Sequence, residues 1–134
     1  MDESVIKEIL ENSKVIAVVG LSPKSNRPSH QVAAYLQKHG YRIIPVRPGI
    51  NEVLGEKAYH SLKAIPSEIQ VDVVDVFRKS QDVPPVVDQA IEIVARYIWL
   101  QEGIIHEEAA KKAQDAGLKV VMNLCMLKEH IRLF

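Results

Sequence analysis

A short loop of small, hydroxyl-bearing and basic residues follows the first apolar run of the chain. The run is Val15–Val19, and Gly20, Ser22, Lys24 and Arg27 follow it before a segment with helical periodicity. Glycine lets a backbone turn close to a ligand. Lysine, arginine and serine side chains bind phosphate oxygens, and the amide groups at a helix amino end bind anions. The pattern therefore predicts a phosphate site, and an anionic nucleotide is the first hypothesis.

The end of the second predicted strand bears on which nucleotide binds. An NAD site of the usual dinucleotide fold has Gly-x-Gly-x-x-Gly at the first turn and an acidic residue after strand 2. Here Ser22 and Ser25 stand where later glycines are expected, and Arg47 ends strand 2. A cation at this place favours a phosphorylated ribose, which both NADP and coenzyme A (CoA) carry. Arg47 alone does not distinguish an NADP site from a CoA site.

Helix-like periods alternate with short β-branched runs, which is typical of an α/β domain. The predicted strands are residues 15–19, 41–46, 71–77, 97–100 and 119–122. Helices are predicted to begin near residues 2–4, 28, 83, 106 and 124, and the one that begins near residue 83 is predicted to run to about Arg96. Right-handed crossovers then give a Rossmann-like three-layer αβα sandwich with a five-stranded parallel sheet. The expected strand order is 3-2-1-4-5, with the ligand over the carboxyl ends of strands 1 and 4.

Polar residues follow directly after each predicted strand. The segments are Gly20–Arg27, Arg47–Pro48, Arg78–Lys79, Gln101–Gly103 and Asn123. Because the carboxyl ends of parallel strands lie at one edge of a sheet, these segments are predicted to converge there.

Composition limits the class of protein. The length of 134 residues predicts one domain over residues 1–134, and 17 basic side chains balance 17 acidic ones. The chain therefore has no excess of positive charge that would attract nucleic acid, which argues against a nucleic-acid partner. No signal peptide or long apolar run is present, which favours a cytoplasmic protein without a membrane partner. The chain has one cysteine, which cannot form an internal disulfide, and it has no Cys/His cluster with the spacing of a zinc site. We therefore expect neither an internal disulfide nor a metal site.

Several segments, in order along the chain, share the pattern of a known family. They are Val18–Lys24, Gly40–Pro48, Val53–Lys57, Asp72–Arg78, Trp99–Ile104 and Asn123–Met126. As a set they resemble the small stand-alone CoA-binding domain proteins. The same domain is similar to the amino-terminal part of the succinyl-CoA synthetase alpha subunit, in which the loop after strand 1 holds the CoA phosphates. The second domain of that subunit, with its phosphorylated histidine, has no counterpart here, so ligase chemistry is not implied.

The resemblance implies a CoA site built around the loop after strand 1. The residues that would hold the pyrophosphate, with Arg27 assisting, are Gly20, Leu21, Ser22, Pro23 and Lys24. The adenosine and its 3′-phosphate would be flanked by Val46, Arg47 and Pro48. The opposite wall would be Phe77 and Arg78, and the far side near the pantetheine arm would be Gln101 and Gly103.

The single cysteine has two interpretations. With Asn123 as helix cap, Cys125 is predicted in the first turn of the last helix, where the helix dipole favours a thiolate. That position permits a mixed disulfide with CoA or redox sensing. Packing against the last strand is the favoured alternative.

No catalytic residue is assigned. Asp72 and Asp75 are three positions apart, so an extended strand points them to opposite faces and separates the two carboxylates. His30 and His106 stand at predicted helix starts, where capping or packing is the favoured role.

Three functions stay open on the sequence alone. The first is a non-enzymatic carrier, sensor or regulatory module that binds CoA or an acyl-CoA. The second is an NADP-dependent oxidoreductase. The third is the CoA-binding subunit of an acyl-CoA ligase that acts with a protein partner. Apolar positions such as Ile131 and Phe134 in the last helix leave monomer and homodimer open.

Overall fold

The computed structural model describes residues 2–134. Its strands are β1 (Val15–Val19), β2 (Arg42–Val46), β3 (Glu52–Val53), β4 (Glu56–Lys57), β5 (Val73–Val76), β6 (Tyr97–Leu100) and β7 (Lys119–Met122). Its helices are α1 (Glu3–Asn12), α2 (Pro28–Lys38), α3 (Val83–Glu92), α4 (Glu107–Asp115) and α5 (Met126–Leu133), with 3₁₀ turns at Leu62–Ala64 and Ser80–Asp82. Across this described part, no helix has the length and apolar character needed to cross a bilayer.

Five parallel strands form the main sheet in the order β2-β1-β5-β6-β7, while β3 and β4 form a separate antiparallel hairpin. The predicted Rossmann-like class is confirmed. The position predicted for the third strand of the sheet is wrong. That strand, β5, pairs with β1 from Ile16↔Val73 to Val19↔Val76, whereas the prediction placed it outside β2. Counted within the sheet, the order is 2-1-3-4-5.

The two strand orders are hard to separate by pattern alone. Both satisfy right-handed crossovers and both place a ligand crevice beside β1. The segment between β2 and β5 carries a hairpin and a 3₁₀ turn where a crossover helix is usual. Apolar runs show that a strand exists but not which strand it pairs with. The reversal point of the observed sheet lies between β1 and β5.

Both faces of the sheet are buried, and alternate strand residues face opposite layers. Ile16, Val18, Val73 and Trp99 pack with the core residues of α1, α2 and α5. The opposite face packs against α3, α4 and the turn at Leu62–Ala64. The three layers hold the carboxyl ends of β2, β1 and β5 side by side.

Helix α3 ends at Glu92, earlier than the expected end near Arg96. Val94 adopts a positive φ of 59°, and the Ala95 amide donates to the Ala90 carbonyl at 3.1 Å. This is the left-handed closure that usually carries glycine. Because no glycine marks this position in the sequence, the helical pattern of apolar residues continues past the residue at which α3 ends.

Helix α5 begins later than expected, at Met126, with Cys125 at the N-cap position. Asn123, which was predicted to cap this helix, does not cap it. It adopts a φ of 64°, and its side-chain oxygen accepts from the Gly103 amide at 2.7 Å. Asn123 therefore joins the loops after β6 and β7 instead of capping α5.

Candidate functional site

A cleft of about 420 Å³ lies at the carboxyl ends of β2, β1 and β5. Three separate segments of the chain form its wall: Gly20, Ser22, Pro23, Lys24, Arg27, Pro28, Ser29, Arg47 and Phe77. This is the crevice at the reversal point of the sheet, where ligands of open α/β folds bind. The predicted loop, the predicted arginine after β2 and the predicted phenylalanine after β5 meet there.

Gly20 fixes the floor of the cleft. Its amide donates to the Val46 carbonyl at 2.8 Å, and its φ is 88°. A Cβ atom at this position would overlap the carbonyl oxygen of Phe77. Only glycine therefore permits this turn with β1 and β5 in register.

Ser22 anchors the loop to the first turn of α2. Its amide donates to the Ser29 hydroxyl at 3.0 Å, and its own hydroxyl accepts from the Lys24 amide at 3.1 Å. The Nδ1 of His30 lies 2.9 Å from the Ser22 carbonyl, so that ring nitrogen is the donor. His30 thus has the packing role expected for it, and the loop is held in one shape.

The amino end of α2 opens into the cleft. Arg27 is the N-cap and makes no side-chain hydrogen bond to the first-turn amides, and the first turn contains no acidic residue. Pro28 and Ser29 of this turn line the cleft. The positive end of the helix dipole is therefore available to an anion.

The cations of the cleft are unpaired. Within residues 2–134, no carboxylate lies within ion-pair distance of Lys24, Arg27 or Arg47. Elsewhere the basic side chains commonly have partners, as in Lys112 with Asp88 at 2.6 Å. Unpaired cations beside an open helix end have the chemistry to bind a multiply charged anion, although the chain as a whole is neutral.

Comparison with known proteins assigns the domain. Residues 14–131 match the family model described as CoA binding domain. The chain belongs to the CoA-binding domain family. The uncharacterized protein YneT of Bacillus subtilis is 47% identical over 125 residues, which cover 93% of this chain and 91% of YneT. A hypothetical protein from Pyrococcus horikoshii OT3 superposes with a TM-score of 0.94 at 44% identity, covering 99% and 92% of the two chains.

A more distant relative is a much longer protein. The ADP-forming acetate–CoA ligase I of Archaeoglobus fulgidus is 25% identical over 123 residues, which cover 84% of this chain but 18% of the ligase. The CoA-binding domain described here is thus similar to a small part of such a ligase. The family expected from the sequence motifs is confirmed.

Four residues expected at the CoA site do not line the cleft. Leu21 and Val46 are buried in the two apolar cores. Pro48 is exposed just beyond Arg47, and Arg78 is half-buried next to Phe77. Their backbones adjoin the cleft through Gly20, Arg47 and Phe77, while their side chains are not part of its wall.

Gln101 and Gly103 also lie outside the cleft wall of the CoA-binding domain. Gln101 is buried; its Nε2 donates to an Asp75 oxygen at 2.5 Å, and its Oε1 accepts from the Met126 amide at 3.4 Å. Gly103 donates its amide to Asn123. The corrected strand order explains their place, because β5 separates β1 from β6.

Asp75 is a buried carboxyl group on β5, two residues before Phe77. It is fully buried, and its second oxygen has no hydrogen-bond partner among the described residues. Burial raises the pKa of Asp75 to about 7, although the hydrogen bond from Gln101 opposes the shift. Asp72 instead accepts from the Lys14 and Val15 amides, both at 2.9 Å. The two carboxylates contact different groups, as their spacing predicts.

Pro28 and Ser29 are cleft residues that were expected only as a helix start. Their signal in the sequence is their position directly after the basic loop, because the first turn of a helix shares any anion bound at its amino end. His106 is the N-cap of α4 and accepts from the Ala109 amide at 3.0 Å, which confirms its capping role.

Proposed function

We propose that this domain binds CoA or an acyl-CoA as a non-enzymatic carrier, sensor or regulatory module. The observation that carries the proposal is the cleft in which Lys24, Arg27 and Arg47 stand unpaired around the open end of α2. Membership of the CoA-binding domain family supports the choice of ligand.

The charges of the cleft match the charges of CoA. Lys24, Arg27 and the first-turn amides of α2 form one group, suited to the diphosphate. Arg47 stands one strand away, at the end of β2, which is about 4.8 Å from β1 in a sheet. It suits the 3′-phosphate of the ribose. The diphosphate and the 3′-phosphate of CoA thus each have a cation of their own.

The makeup of the cleft wall supports binding rather than catalysis. Its described lining residues are glycine, serine, proline, lysine, arginine and phenylalanine, without a carboxylate, an imidazole or a thiol. General acid–base catalysis at neutral pH usually relies on such groups. A role as the CoA-binding subunit of a ligase is a second candidate, favoured by the similarity to part of an acetate–CoA ligase.

Calorimetric titration of the reduced, ligand-stripped protein tests the proposal. The ligands are CoA, dephospho-CoA, NADP and NAD. We expect binding of CoA, and we expect Arg47→Ala to weaken it about 10- to 150-fold because a charge-assisted contact of about 1.5–3 kcal/mol is lost. Dephospho-CoA, which lacks the 3′-phosphate, loses little affinity in the same variant.

Arg42→Ala is the matched control, because Arg42 is an exposed arginine at the opposite end of the same strand. It leaves CoA affinity unchanged. Equal losses for CoA and dephospho-CoA in Arg47→Ala contradict the 3′-phosphate assignment. Binding of NADP in place of CoA moves the protein to the oxidoreductases.

A further inference from the structure

The two edges of the main sheet are built differently. At the β2 edge, the Tyr59 carbonyl accepts from the Arg47 amide at 2.8 Å, and the Tyr59 amide donates to the Pro45 carbonyl at 3.0 Å. Pro45 itself has no amide hydrogen. At the β7 edge, the strand contains no proline, glycine or bulge, and nothing within residues 2–134 pairs with its outer side. An open edge of this kind is able to pair with a strand of another chain.

The outward main-chain groups of β7 belong to Val120 and Met122. The Lys119 and Asn123 amides donate toward β6, at 3.2 Å and 2.9 Å. Because successive residues of a strand direct their amide and carbonyl groups to opposite sides, those of Val120 and Met122 point away from β6. No backbone group elsewhere in the described chain pairs with them. Two donors and two acceptors are therefore left for another strand.

A groove of about 450 Å³ runs beside this edge. Val120 and Met122 line it from the strand, and Ala110, Lys111 and Asp115 line it from α4. Lys111 and Asp115 are exposed and form an ion pair at 3.0 Å. A strand that docks along β7 therefore meets open main-chain groups and, on α4, one charge of each sign.

We propose that β7 pairs antiparallel with β7 of a second copy of this chain, about a two-fold axis at Val121. Val120 of each copy then faces Met122 of the other, and each such pair exchanges two hydrogen bonds, which gives four in all. A two-fold pairing uses both β7 edges at once, so the assembly closes as a dimer. The dimer does not depend on the proposed function, because the cleft is formed at β2, β1 and β5.

The charges on α4 favour a second copy as the occupant. Helix α4 runs back along β7 and joins it through Gly117 and Leu118. With a rise of about 1.5 Å per helical residue and about 3.3 Å per strand residue, Lys111 lies about 9 Å from that turn, Asp115 about 3 Å and Val121 about 7 Å.

The two-fold axis at Val121 inverts these heights. Lys111 of one copy then comes within about 2 Å of the level of Asp115 of the other, and the reverse contact forms as well. The two α4 helices lie antiparallel on the same face of the joined sheet, so the two contacts are between opposite charges. The surface is therefore complementary to itself in charge as well as in main-chain hydrogen bonding.

Sedimentation of the purified protein over a range of concentrations tests the pairing. We expect a monomer–dimer equilibrium for the wild type. Met122→Pro removes an outward amide but no hydrogen bond to β6, and we expect it to be monomeric. Met122→Ala keeps that amide and is the matched control, which still dimerises. Lys111→Glu weakens the dimer by about 2- to 30-fold, as the loss of two surface ion pairs requires, and adding Asp115→Lys restores it.

Amide hydrogen exchange of the wild type gives a second measurement that needs no variant. The Val120 and Met122 amides exchange more slowly as the protein concentration rises, because they enter hydrogen bonds only in the dimer. A wild type that stays monomeric at millimolar concentration overturns the proposal. A dimer in which these two amides gain no protection also overturns it, since such a dimer forms through another surface.

Discussion

At the scale of single residues, Gly20 is required by the fold independently of any ligand. Its φ of 88° is one reason, and the backbone carbonyl of Phe77 beside it is the other. We expect Gly20→Ala to lower the free energy of unfolding by clearly more than the roughly 1 kcal/mol of a left-handed alanine, because β1 and β5 must also move apart.

Gly49→Ala is the matched control for that measurement. Gly49 has a similar φ of 83°, but nothing lies within 4 Å of a Cβ built there. Urea unfolding of both variants isolates the overlap with Phe77. Equal losses of stability in the two variants would show that Gly20 is required by its φ alone.

Asp75 gives the stability of the domain a distinctive pH dependence. Burial raises its pKa from the ordinary value of 3.8 to about 7, so the folded protein holds this proton more tightly than the unfolded chain does. The stability that this proton contributes is complete below about pH 4 and is lost as the pH rises through about 7. We expect Asp75→Asn, which keeps an acceptor for Gln101, to become increasingly stable relative to the wild type from pH 4 to pH 8.

Denaturant midpoints across that pH range measure the effect. Asp82→Asn serves as the control, because Asp82 is exposed at the start of α3 and its side chain makes no cap hydrogen bond. A constant difference between Asp75→Asn and the wild type at every pH would contradict the buried, titrating carboxyl group.

At the scale of elements, the end of α3 carries avoidable strain. Val94 is 71% exposed and holds a φ of 59°, a conformation that β-branched residues rarely adopt. We expect Val94→Gly to raise the free energy of unfolding by about 1 kcal/mol, since glycine is at ease in this conformation. Gln114→Gly, at an exposed position in the last turn of α4, should lower it, by at most about 1 kcal/mol. Thermal unfolding of both variants provides the comparison.

The elements that the sequence predicts well are those with long periods and clear ends. Pro28 marks the start of α2, and the apolar runs mark the five sheet strands. The hairpin of β3 and β4 escaped prediction because two-residue strands are too short to show alternation. Its turn residues, Leu54 and Gly55, both have positive φ, but leucine is not a usual residue for such a turn.

At the scale of the whole molecule, strand order decides which predicted site residues meet. The loop after β1 and Arg47 were predictable, because the carboxyl ends of adjacent parallel strands lie together. Gln101 and Gly103 were expected at the same site because the family resemblance implied it, and the expected strand order placed strand 4 beside strand 1. In the structure β5 occupies the position beside β1. The residue pattern within a strand does not indicate which distant strand it pairs with, so this order could not be predicted from the sequence.

Ligand binding by the cleft should stabilise the whole domain. The loop after β1, β2 and β5 all contribute to the cleft wall, so a ligand that fills it binds the folded protein alone. At a CoA concentration 100-fold above its dissociation constant, we expect the free energy of unfolding to rise by about 2.7 kcal/mol. Thermal unfolding at increasing CoA measures this rise. An unchanged midpoint in the wild type, despite calorimetric binding, would mean that the unfolded chain binds CoA equally.

The position of β5 beside β1 also sets the moment at which a growing polypeptide gains its site. A nascent chain that has emerged only as far as β2 already carries Lys24, Arg27 and Arg47, yet Phe77 and the strand that aligns Gly20 are still missing. The cations are then spread along a flexible chain, without the wall that brings them to one anion. On the proposed function, capture of CoA therefore waits until β5 has been synthesised and has paired with β1.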